Sequence, residues 1–157
     1  MKTKTNTLLG AILFLLVISA AAPRAYGQGN LVSWGSNIIT GGGKFLKEGG
    51  KRTFGFVAKV QGTGVQGNLE FRDHEASMNV QYQIMQMVYA PDSTDGYFGG
   101  TCTVNGVGGY TFLVQIHDRG QTGNTDDFTI WILDSLNNPM YTAGAPLSGG
   151  NIVIHGY

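Results

Sequence analysis

Apolar side chains recur at every second position through most of the chain beyond residue 36. They are Tyr110, Phe112, Val114 and Ile116 in residues 110–116, Phe128, Ile130 and Ile132 in residues 128–132, and Phe54, Phe56, Ala58 and Val60 in residues 53–60. A period of two is that of a β-strand, whose successive side chains point to opposite faces. Each run therefore lays one apolar face on a core and turns Thr111, Gln115, Thr129, Thr53 or Lys59 the other way. Leu69 and Phe71 carry the alternation across residues 68–72, and NIVIH forms a last short run at residues 151–155. Between the runs stand NGVGG (105–109), DRGQTGNT (118–125), APDSTDG (90–96) and DSLNNP (134–139). Such clusters supply the positive φ angles and side-chain-to-backbone bonds that chain reversals need.

The alternation loses its phase once, at Ile84 and Met85, because Met85, Met87 and Tyr89 are apolar as well. A break of this kind predicts a bulge, a strand buried on both faces or a strand that changes sheet. The pattern as a whole predicts an all-β fold, an antiparallel meander of about eight to nine strands joined by short turns and forming a sandwich or a flattened barrel. Pairing of the NIVIH strand with a strand near residues 36–40 is expected, since closure removes exposed edges. The triple glycine Gly41, Gly42 and Gly43 lacks the following helix and Lys-Ser/Thr pair of a phosphate loop, and reads as a bend or a close backbone approach.

The first 27 residues follow a different logic. Lys2 and Lys4 precede an apolar run at residues 8–22, and Ala25-Tyr26-Gly27 offers a small-x-small cleavage site. The run is shorter than the roughly 20 residues of a spanning helix. This predicts a signal-peptide helix at residues 1–27, a single all-β domain at 28–157, a secreted or periplasmic location, and no membrane span after cleavage. Without Lys2, Lys4 and Arg24 the chain keeps 7 basic against 10 acidic residues, a net −3. That balance argues against nucleic acid as a partner. About 130 residues can bury roughly two thirds of their unfolded surface, enough for one core. Cys102, the lone cysteine, cannot form an internal disulfide and reads as a small buried hydrophobe.

Chemistry is thinly signalled. Arg72-Asp73-His74-Glu75 is the densest polar cluster, but neighbours on a strand face opposite sides and no zinc-type spacing accompanies it, so it reads as a solvated strand end with a turn-stabilising Asp73. His117 and His155 stand at strand ends without a GxSxG nucleophile anywhere. Asp118, Asn124, Asp126 and Asp127 flank the longest polar loop and supply the oxygen atoms that calcium takes, although turns favour the same residue types. Trp131, Trp34, Tyr97 and Tyr141 are candidates for a platform on which a sugar ring stacks, set against the commoner fate of core packing.

Six blocks occur in an order that resembles a known module: ITGGG (39–43), GGKRTFGFVAKV (49–60), GNLEFRDH (67–74), GTCTVNGVGGYTFLVQIHD (100–118), TDDFTIWI (125–132) and GGNIVIH (149–155). They resemble the glycine-rich post-COAP domain of secreted bacterial proteins over nearly all of the chain after the leader. The resemblance implies an all-β extracellular accessory module and carries over no activity, cofactor or site residue. The expected function is that of a secreted, non-enzymatic β-module with an interaction or structural role. The alternative is a carbohydrate-binding module of the bacterial envelope or extracellular space, with polysaccharide or another envelope protein as partner.

Overall fold

The structure is a computed structural model that describes residues 38–62, 64–120 and 125–156. The signal-peptide helix, Trp34 and Asn124 lie outside these residues. Nine strands follow one another: β1 (Ile38–Lys47), β2 (Gly50–Gln61), β3 (Gly64–Asp73), β4 (Met78–Tyr89), β5 (Asp95–Val104), β6 (Val107–His117), β7 (Asp127–Leu133), β8 (Pro139–Pro146) and β9 (Gly149–His155). They form one antiparallel sheet in the order β8-β7-β6-β5-β4-β3-β2-β1-β9, with no helix among the described residues. The meander runs unbroken from β1 to β8. Then β9 returns to the other end and pairs with β1, from Ile38↔His155 to Lys44↔Gly149, which is the pairing expected from the sequence.

The turns carry the residues their geometry demands. Asn105 and Gly106, between β5 and β6, both have positive φ (51° and 81°), as a tight hairpin turn matched to strand twist requires. The phase break in β4 is a pair of irregularities in its ladder with β5, between Tyr82 and Ile84 and between Met85 and Met87. Opposite them sits Gly100, where any Cβ would collide with the carbonyl oxygen of Ile84. The bulge and the glycine therefore require each other. The triple glycine differs from the bend allowed by the sequence: β1 passes straight through it. Its role is close approach, because Gly41 faces the interior and a Cβ there would meet the Phe56 ring at 2.7 Å.

The sheet is curled into a half-barrel, and its core shows why. Phe54 on β2 stacks on Phe128 on β7 at 3.9 Å between centroids and 12° between planes, and Phe71 on β3 stacks on the same ring at 6.2 Å. Strands so far apart in the sheet order can share a ring only if the sheet closes over them. Phe56 meets Phe98 of β5 at 4.5 Å in the same interior. Burying these rings is the main source of stabilisation, at about 2–3 kcal/mol for each large side chain taken out of water. Cys102 lies fully buried in this cluster, and burial alone raises its thiol to about 12, so it is a packing residue.

The two edge strands, β8 and β9, are consecutive in the chain and joined by Leu147 and Ser148. Among the described residues they form no ladder with each other. The link is pinned instead by Leu147 N donating to Asp126 O at 2.8 Å and Ser148 N donating to Lys44 O at 2.8 Å.

Candidate functional site

The curl sorts the polar residues into two groups, those that point into it and those on its outer face. The inward group holds the sheet together. Arg52, on β2, donates from Nε to Asp73 Oδ2 at 3.0 Å and from its guanidinium to the carbonyls of Lys47 and Gly50. Asp73, at the end of β3, also accepts from the Tyr141 hydroxyl of β8 at 2.7 Å and from the N–H groups of Glu75 and Ala76 at 2.9 and 3.0 Å. Burial works to raise the Asp73 carboxyl. The hydrogen bonds from Tyr141 and the two N–H groups and the Arg52 charge outweigh it, so the pKa is lowered. Burial, followed by the bond to Asp73, pushes Tyr141 up to about 12. The cluster joins one edge strand to the opposite wall, and no buried side-chain nitrogen or oxygen among the described residues lacks a partner.

The acidic loop between β6 and β7 does the same at the other edge. Asp126 accepts from Arg119 N at 2.9 Å and from Ile152 N of β9 at 2.8 Å. Asp118 accepts from Gly120 N and from Ile154 N of β9, both at 3.0 Å. Asp127 pairs with the Arg119 guanidinium at 2.6 Å. Thus three of the four calcium candidates serve as acceptors for the chain's own N–H groups, and Asn124 lies outside the described residues. No cluster of three or more metal-ligating side chains occurs among those described. Millimolar calcium is therefore expected to leave the melting temperature unchanged. A rise of several degrees would return a calcium ion to this loop.

The aromatic candidates are split. Tyr141 faces the interior, packed 5.9 Å from Phe71. Tyr97 and Trp131 face outward on the same side of the sheet. Tyr97 is opposite Gln115, Gln115 opposite Thr129, and Trp131 two residues further along β7. Tyr97 stacks on Tyr89 at 6.3 Å, and its hydroxyl accepts from Gln115 Nε2 at 3.2 Å. His117, the next outward residue of β6, pairs with Asp95 through Nδ1 and lies 3.2 Å from Gln115 Nε2. Leu113, paired with Trp131 across the β6–β7 ladder, and Leu133, two residues along β7, are buried outside the main cluster. The Trp131 end of this face is therefore packed, while the Gln115–His117 end is polar.

The periodicity missed a second outward region. Of three shallow depressions of about 460, 570 and 550 Å³, the first two share Gly55, Glu70 and Gln81 and the last two share Asn68 and Tyr82, so they follow one another as a trough over β2, β3 and β4. Gly55 floors it, with no neighbouring atom within 4 Å of where a Cβ would stand. Arg72 and Glu70 of β3 lie in register with Asn79 and Gln81 of β4, so amide, carboxylate and guanidinium planes line its wall. His74 sits at its rim, 3.1 Å from the Thr53 hydroxyl. In sequence these residues read only as the solvated side of each strand. The signal that could have found them is the run of planar polar groups on one face of two adjacent strands, ending at Tyr82. No protein-family model, curated protein or solved structure matches the chain.

Proposed function

We propose that this chain is an exported, non-enzymatic β-module of the kind the post-COAP resemblance implies, acting as an interaction or structural accessory outside the cytoplasm. The observation that carries the reading is the division of polar groups. Arg52, Asp73, Tyr141, Asp118 and Asp126 are engaged in tying the sheet's edges, whereas the outward polar groups spread over shallow, open surfaces. Catalysis needs convergent groups around a reacting atom in a recess that excludes water, and binding needs only area and complementarity. In this reading the half-barrel is a flattened barrel whose last gap is bridged by the side chains of Asp118 and Asp126.

A second reading, carbohydrate binding, is favoured by one feature. Tyr97 and Trp131 share an outer face with Gln115 between them in register, an arrangement that offers stacking with adjacent hydrogen bonds. Pull-down of the full chain on insoluble polysaccharides tests it. Retention that falls about tenfold or more in Trp131→Ala, with the variant's melting transition intact, supports a glycan partner. Retention of neither form removes the glycan reading and leaves a protein partner. Release of soluble reducing ends from the same material would overturn the non-enzymatic reading.

A further inference from the structure

The ladder between β3 and β4 runs only from Asp73↔Met78 to Glu70↔Gln81. Beyond it β3 extends back to Gly64 and β4 on to Tyr89, yet among the described residues the two stretches do not pair. Each has its other edge filled, since β2 pairs with all of β3 from Arg52↔Asp73 to Gln61↔Gly64, and β5 pairs with β4 from Val80↔Val104 to Tyr89↔Tyr97. The sheet is thus split in a V that opens away from the Asp73–Met78 turn. Bulges in β4 begin where the ladder stops, and bulges bend a strand and re-aim it.

The split carries two further features. A depression of about 550 Å³ lies in it, between Val65, Gly67 and Asn68 on one bank and Tyr82, Ile84 and Met85 on the other. Apolar groups are exposed at its outer rim: Ile84 at 60 %, Tyr82 at 38 % and, on β2 beside it, Val57 at 36 %. From the inner side Met85 plugs it. A Cβ on Gly67 would collide with the Val57 carbonyl oxygen and lie 2.9 Å from Met85 Cε, so the glycine lets both the β2 backbone and the thioether come close. Methionine is the side chain best suited to give way, being unbranched and adaptable.

We propose that this split is an acceptor site for an extended peptide segment of a partner protein, which adds as a strand along residues 64–69 and sets an apolar side chain against Ile84 and Tyr82. The inference rests on the reading of the chain as a binding module and names the partner class. The occupant follows from complementarity of partial charge: a strand edge presents N–H and C=O groups at a fixed repeat, and another strand is the partner with the opposite pattern at the same repeat. The alternation of side chains then sends every second residue of the peptide outward over the Ile84 rim and the others inward, where Met85 moves aside.

The test probes the full chain with an array of synthetic peptides of about ten residues, alternating Val or Ile with Thr, each paired with a copy N-methylated at alternate backbone nitrogens. Retained peptides, binding about tenfold weaker once N-methylated, together with slowed amide hydrogen exchange at residues 64–69, are the expected result. Ile84→Glu, an exposed position, is expected to weaken retention to a similar extent without lowering the melting temperature. Retention of no peptide, indifference to N-methylation, or unchanged exchange at residues 64–69 overturns the proposal. So does protection of those amides by a soluble polysaccharide instead of a peptide. A chain that binds polysaccharide through Trp131 but ignores the array loses the acceptor site and keeps its binding role.

Discussion

Asp73→Ala is expected to destabilise the fold by about 3–5 kcal/mol, a fall in melting temperature on the order of 15 °C. Asp73 is 1 % exposed, and Arg52 beside it is buried as well. Removing the carboxylate leaves a buried guanidinium charge with no counter-charge from Asp73, its remaining neighbours being the carbonyls of Lys47 and Gly50 and the Tyr141 hydroxyl. It also takes away the acceptor of the Tyr141 hydroxyl and of the N–H groups of Glu75 and Ala76. Breaking one partner of a buried pair costs more than the pair is worth, because the other charge stays behind. Tyr141→Phe is the graded control: it removes one charge-assisted bond, about 1.5–3 kcal/mol, while the ring keeps its place against Phe71. An Asp73→Ala chain that melts within 2 °C of the parent would show that the cluster does not brace the edge strand.

The same cluster sets the pH range of stability. Asp73 is held below the ordinary carboxylate value, so its contribution is present above that value and is lost as pH falls through the depressed one. Tyr141 is raised to about 12, so its contribution is present below the ordinary phenol value and is lost as pH rises toward about 12. Stability is therefore expected to be flat between about pH 4 and pH 10 with respect to these groups, and to fall on both sides. Asp92, held low by the hydroxyl and N–H of Thr94, and Asp134, held low by Asn138, add to the acid limb from exposed turns. Chemical denaturation across pH in Asp73→Asn separates them, since only the Asp73 share of the acid limb is expected to disappear.

The strands and their partners were legible because a period of two is written into each segment independently of its neighbours. Phe54, Phe56 and Ala58, or Phe128, Ile130 and Ile132, announce their inward face without any tertiary information. Gly-rich reversals of a few residues then leave adjacent antiparallel pairing as the simplest outcome. The phase break at Ile84 was legible for the same reason. The role of the acidic residues was not, because it depends on what lies across a gap. Asp118 and Asp126 look like turn residues or calcium ligands until β9 is known to pass beside them, and Tyr141 looks like a surface aromatic until β8 is known to lean over Asp73. The trough was hidden by the reverse problem: Arg72, Glu70, Asn79 and Gln81 are ordinary solvent-side residues singly, and only the β3–β4 register brings them together.

Asp126→Ala is expected to be the most damaging single change in the β6–β7 connection, at about 2–4 kcal/mol, since it strands the buried N–H of Ile152, at about 1–3 kcal/mol, and the part-buried N–H of Arg119, at the low end of that range. Asp126 is fully buried, and its oxygens face Arg119 N and Ile152 N. On β9 the N–H groups of residues two apart point to the same side, so Ile152 and Ile154 aim their donors at one edge, where Asp126 and Asp118 meet them. The two carboxylates thus replace the missing strand. Asp126→Asn discriminates this role from simple packing. An amide has the same shape but turns a donor toward one of the two N–H groups, so it is expected to cost nearly as much as alanine. Asp118→Ala, at a half-buried position, is expected to cost less. Hydrogen exchange gives the local readout, with the Ile152 amide exchanging much faster in Asp126→Ala while core amides of β6 slow or quicken only with global stability. An edge freed in this way is also a template for another chain, so the variant is expected to self-associate as its concentration rises. If Asp126→Asn matches the parent in stability and in Ile152 exchange, the Asp126 carboxylate does not hold the edge, and closure of the half-barrel there rests on Asp118, the backbone bonds of Leu147 and Ser148 and the apolar contacts of Ile152 and Ile154.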